Sequence, residues 1–157
     1  MNTVVIGIGD AYRHDDGVGL IVAKRLRDLR PRAVDFVESD GEPTGLIDAW
    51  DGAPLAIVID AVDAGEGVVP GRIYRLGLHH PALSGGGGPA GSHGVPLGDA
   101  VALARALDRM PRRMLLFGVQ VADVSQGVGL SPQVEWAAGL VVEEIAELLV
   151  TQRWAAR

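Results

Sequence analysis

No cysteine occurs anywhere in the 157 residues. That excludes disulfides, thiolate metal ligands, iron–sulfur clusters and a cysteine nucleophile, so a metal site could be built only from Asp, Glu and His. Positive charge is also short: 14 Lys and Arg stand against 20 Asp and Glu, a formal net charge of −6. A phosphate polyanion would meet net repulsion, which argues against nucleic acid as a partner. No apolar run approaches the roughly 18 to 20 residues needed to cross a bilayer. The apolar start at Thr3 to Gly9 has no basic stretch before it and runs at once into Asp10, Arg13, Asp15 and Asp16, unlike a secretory signal. The expectation is a soluble, cytoplasmic, monomeric protein with no membrane partner.

What is present is a length near the mode for one domain, with 48% hydrophobic and 22% charged residues. That is enough apolar surface for a core without metals or disulfides. There is no internal repeat, and residues 1–157 are expected to form a single domain.

Thr3 to Gly9 is a β-branched, nearly continuous apolar run, as expected of a strand covered on both faces. Val18, Ile21, Val22, Leu26 and Leu29 then recur at helical spacing. Ala33 to Glu38 predicts a second strand and Thr44 to Trp50 a short helix. Pro54 to Val62 is the most apolar stretch and predicts a central strand ending near Asp60. Gly71 to Leu78 follows after a short loop, which fits an antiparallel neighbour better than a crossover. Leu78 to Gly94 is too glycine-rich for regular structure. Pro96 opens a third helix, Arg113 to Ala122 predicts a buried strand, and Ser131-Pro132 predicts a capped start to the last helix. The order βαβαββαβα predicts a three-layer α/β/α domain around a mostly parallel five-stranded sheet with one antiparallel strand.

In such sheets ligands bind beyond the carboxyl ends of the strands, which here carry carboxylates. The loop Gly9-Asp10-Ala11-Tyr12-Arg13-His14-Asp15-Asp16-Gly17 has tyrosine where a dinucleotide fingerprint needs glycine, and it lacks a Gly-Lys-Ser/Thr. Asp10, Asp15 and Asp16 also oppose a pyrophosphate. They fit a cation, or simple capping of the first helix by Asp15 or Asp16. Asp60 at the end of the central strand, His93, and the pair His79-His80 are equally eligible on residue type. Two carboxylates and an imidazole suit nickel, zinc, iron or manganese with positions left open. The residues alone lead to a metal site of unassigned purpose.

Gly7-Ile8-Gly9, Asp15-Asp16-Gly17-Val18-Gly19, Asp40-Gly41 with Thr44-Gly45, Ile59-Asp60-Ala61, Pro70-Gly71, His93 and Gly129-Leu130-Ser131-Pro132 form an ordered set. The set resembles the [NiFe] hydrogenase maturation proteases over nearly the whole chain. The resemblance implies an endopeptidase that removes a C-terminal extension from a hydrogenase large-subunit precursor after nickel insertion. It further implies that Asp16, Asp60 and His93 contact the metal and act in catalysis, that Asp40 and Gly41 are candidates for substrate recognition, and that the nickel is borne by the substrate. Asp10 departs from the asparagine common in that family, and the glycine-rich segment before His93 is unusual in composition. Two rival readings are a zinc metallopeptidase, for which the chain lacks a His-Glu-x-x-His, and a flavodoxin-like nucleotide or flavin module, favoured by fold alone.

Overall fold

The β-branched residues of Thr3–Ile8 form β1, buried at every position, and the computed structural model describes residues 2–77 and 97–151. A 3₁₀ turn at His14–Gly17 leads into α1 (Val18–Asp28). Then follow β2 (Val34–Ser39), α2 (Pro43–Trp50), β3 (Ala56–Val62), β4 (Ile73–Gly77), α3 (Leu97–Ala106), β5 (Met114–Gln120) and α4 (Pro132–Thr151). The element order is the one the sequence predicts. The glycine-rich stretch before α3, with His79, His80, His93 and Pro96, lies outside the described residues.

The strands order as β2-β1-β3-β5-β4. The first four are mutually parallel, and β4 runs antiparallel to β5. The antiparallel direction was expected for β4, but its neighbour is β5 rather than the central strand that precedes it in sequence. Burial gives the reason. β5 is buried at nearly every position and needs a strand on each side, whereas half-exposed β4 can serve as an edge.

Alternate residues of each strand supply opposite faces. Val4, Ile6, Ile8, Val58 and Leu116 pack with Leu46, Ile47 and Trp50 of α2 and with Leu97, Val101 and Ala104 of α3. Val5, Ile57, Ile59, Phe117 and Val119 pack with Val18, Val22 and Leu26 of α1 and with Val134, Val141 and Ile145 of α4. Each fully buried branched side chain stabilises the fold by about 1.5–3 kcal/mol, so the sheet is held rigid from both sides. Among the described residues no helix is long and apolar enough to cross a membrane.

Two helix starts use side chains that local sequence did not assign to those roles. At α2 the exposed Glu42 side chain caps, accepting the amides of Thr44 (2.9 Å) and Gly45 (2.8 Å). Those donors lower its pKa, with the Thr44 hydroxyl the largest contributor. At α4 the Ser131 hydroxyl, which the sequence casts as a helix cap, donates across the molecule to Asp15.

Candidate functional site

Small residues bring the first loop onto the sheet. A Cβ on Gly19 would lie 2.3 Å from the Ile59 carbonyl oxygen and 2.5 Å from that of Ile8, and one on Gly7 would lie 2.4 Å from the Gly19 oxygen. No side chain fits such gaps, so glycine lets the start of α1 sit directly on the backbones of β1 and β3. Gly9 does the same for the turn before it, where an added Cβ would meet the Asp16 carbonyl oxygen at 2.0 Å. The register of β1 against β3 ends at Gly7 and Ile59. Asp60 therefore lies just beyond the end of β1, where the first loop passes, while β3 continues beside β5 as far as Val62.

Asp60 is buried, with 5% exposure. Its carboxyl is pushed up to about 7, first by burial and then by the negative charge of Asp16, with the Ala61 amide working against both. Among the described residues no positively charged side chain is a cause of this shift. Asp16 is half-buried and accepts the Asp10 amide at 2.9 Å. The structure thus brings two of the predicted site residues together, as a neighbouring pair of carboxyl groups. Among the described residues no group of three or more Asp, Glu or His is placed to hold a metal ion. The described part supplies these two carboxylates, and His93 lies outside it.

Asp10 is exposed, and its side chain accepts the Tyr12 amide at 2.9 Å. An asparagine carbonyl would accept the same bond, so the departure from the family pattern leaves the turn intact. Asp40 lines a cleft of about 550 Å³ with Gly9, Leu20, Glu38, Ser39 and Glu42. Gly41 shapes the turn behind it at φ 93°, with its amide on the Ser39 hydroxyl. The cleft opens at the carboxyl end of β2, beside the first loop.

Neither Asp15 nor Asp16 caps α1, whose N-cap is Gly17 without a side-chain bond. Asp15 is fully buried instead. Burial alone would raise its pKa, but the Ser131 hydroxyl and the amides of Ser131, Asp123 and Ala122 outweigh it and hold the carboxyl below its usual range. Sequence reasoning missed this second loop. The segment Gly129-Leu130-Ser131-Pro132 was its visible signal, read there only as the start of the last helix.

The chain is 28% identical over 149 residues to the hydrogenase expression/formation protein HupD of Thiocapsa roseopersicina, covering 93% of this chain and 66% of that protein. It is 30% identical over 161 residues to HupM of Azotobacter chroococcum, covering 97% and 76%. The fold is similar to the hydrogenase maturating endopeptidase HybD from E. coli, with a TM-score of 0.77 and 20% identity over 96% of this chain and 94% of that one. It is also similar to the [NiFe] hydrogenase maturation protease HybD of Thermococcus kodakarensis, with a TM-score of 0.69 and 18% identity over 95% and 99%. Residues 21–148 match the sequence model of the hydrogenase maturation proteases, so the chain belongs to that family and is a peptidase.

Proposed function

We propose that this chain removes the C-terminal extension from the large-subunit precursor of a [NiFe] hydrogenase once nickel is in place, with Asp16, Asp60 and His93 gripping that nickel beside the scissile peptide. The carrying observation is the carboxylate pair itself. A buried acid next to a second negative charge is an electrostatic arrangement that a cation relieves.

Near neutral pH Asp60 is divided between its protonated and ionised forms, because its pKa is pushed up to about 7. Nickel arriving within the precursor favours the ionised form, so the Asp60 proton leaves to solvent as the cation is gripped. Asp16 adds a second negative oxygen donor, and His93 a neutral nitrogen. Two carboxylates alone make an open, weak site, which suits a metal delivered by the substrate better than one held permanently. When bound, the metal polarises the neighbouring carbonyl or a water. Under this proposal Asp40, which lines the adjacent cleft, and Gly41 in the turn behind it take the peptide on one side of the bond. In this reading residues 1–157 work as one domain, as a monomer, in the cytoplasm.

The test is incubation with nickel-loaded and nickel-free precursor, followed by mass spectrometry of the product. Cleavage of the loaded form alone is expected. Equal cleavage of both would remove nickel from the account.

A further inference from the structure

Two aspartates stand side by side in the 3₁₀ turn, and their surroundings are opposite. At three residues per turn, successive side chains point about 120° apart. With Asp16 beside Asp60, Asp15 is turned inward, to 0% exposure. A buried carboxylate needs donors. All four come from the segment after β5: the amides of Ala122 (2.8 Å), Asp123 (2.9 Å) and Ser131 (2.7 Å), and the Ser131 hydroxyl in a short bond.

The neighbouring backbone is tied to the same segment. Asp15 N–H donates to Asp123 O, His14 N–H to Gly127 O, and Gly127 N–H to Tyr12 O, each at 2.9 Å. The His14 ring Nδ1 lies 3.0 Å from Gly129 O, and Arg13 Nε donates to Val124 O at 3.2 Å. On the other side Asp16 is held by the Asp10 amide at 2.9 Å. The turn is therefore clamped one residue before the site residue and oriented again by a bond to it.

We infer that Asp15, through Ser131, is a positioning residue for peptide-bond cleavage: it anchors the first loop to the loop before α4 so that Asp16 is preset against Asp60. The inference rests on the proposed role of Asp16. Asp15 itself acts through Asp16 and through the backbone between them. Presetting matters because a misplacement of about 1 Å can lower a rate on the order of a hundredfold.

The Asp10 amide reports the Asp16 side chain directly, so its hydrogen exchange can be read by NMR in the complete protein. Ser131→Ala removes one of the four bonds and leaves the backbone donors in place. In this variant the exchange of the Asp10 amide is expected to rise about tenfold relative to the β3 amides of Ile57 and Val58. In the same variant kcat on nickel-loaded precursor should fall at least tenfold, on the order of a second-shell loss, with KM within about twofold. Ser131→Thr keeps the hydroxyl and should restore both readings. Asp15→Asn should move them further in the same direction, since its NH₂ would face donors.

Wild-type Asp10 exchange in Ser131→Ala would overturn the inference, and so would unchanged kcat alongside accelerated exchange. Exchange that rises equally throughout β3 would also overturn it, by making the tie a general support of the fold. The exchange reading needs no substrate. It decides whether the Asp15–Ser131 tie presets Asp16 even where wild-type protein leaves the precursor uncut, a result that would instead sink the proposed function.

Discussion

Asp60 is held at about 7 in the fold, against 3.8 for an ordinary aspartate. Between those values the folded state keeps a proton that the unfolded chain has released. Stability attributable to this group is therefore present below about pH 4, is lost as pH rises through about 7, and is absent above it. At 1.36 kcal/mol per unit the loss has an upper bound of about 4 kcal/mol. Asp60→Asn should be more stable than wild type at pH 8, by about 1–4 kcal/mol, with no gain at pH 4, while precursor cleavage disappears. Urea denaturation at the two pH values checks this, and equal midpoints at pH 8 would contradict it. Asp15 runs the other way: its lowered pKa means that its contribution is present above the ordinary carboxylate range and fades on acidification. His93 supplies the proposed nitrogen ligand, so His93→Ala should lower processing by more than about a hundredfold, and His79→Ala should leave it near wild type. A precursor assay that finds the reverse would move the ligand to the His79-His80 pair. Residue type and position drew attention to carboxylates after β1 and near the end of β3, and the family resemblance singled out Asp16 and Asp60 among them. For Asp15 sequence reasoning weighed only a cation or a helix cap, because the partners of that residue lie 107 to 116 positions away.

At the level of elements, the site depends on how closely α1 rests on β1 and β3. Gly19→Ala would drive a methyl into two backbone oxygens, at 2.3 and 2.5 Å, and neither can move without shifting a strand. It should destabilise by about 1–3 kcal/mol or more and lower cleavage, because Asp16 moves with the helix start. Gly139 in α4 is the counterpart: nothing lies within 4 Å of an added Cβ. Gly139→Ala should stabilise by about 0.5–1 kcal/mol through helix propensity alone, with cleavage unchanged. Thermal melts of the two variants provide the comparison, and Gly19→Ala melting with wild type would refute the close-approach argument. Strands and helices were legible to within a few residues because apolar periodicity and turn residues are local signals. The partner of β4 was not legible. Its short loop set its direction, but the choice of neighbour rested on β5, more than thirty residues further along the chain.

For the whole molecule, a net charge of −6 and a carboxylate-bearing sheet edge attract cations, while the described site residues amount to an open pair. Protein treated with chelator and then desalted should therefore cut nickel-loaded precursor at close to the untreated rate, and calorimetry should find only weak binding of Ni(II) to the enzyme alone. A stoichiometric metal that survives chelation, or activity lost with it, would point to a resident ion. By itself the sequence determined the three layers, the five strands with one antiparallel, and the candidate carboxylates at the strand ends. Each of these follows from residue type and spacing within a single segment. Only the tertiary structure decided the insertion of β5 between β3 and β4, the burial of Asp15 against Ser131, and the raised pKa of Asp60 beside Asp16. Those depend on distances and desolvation between segments far apart in the chain, and no local pattern encodes them.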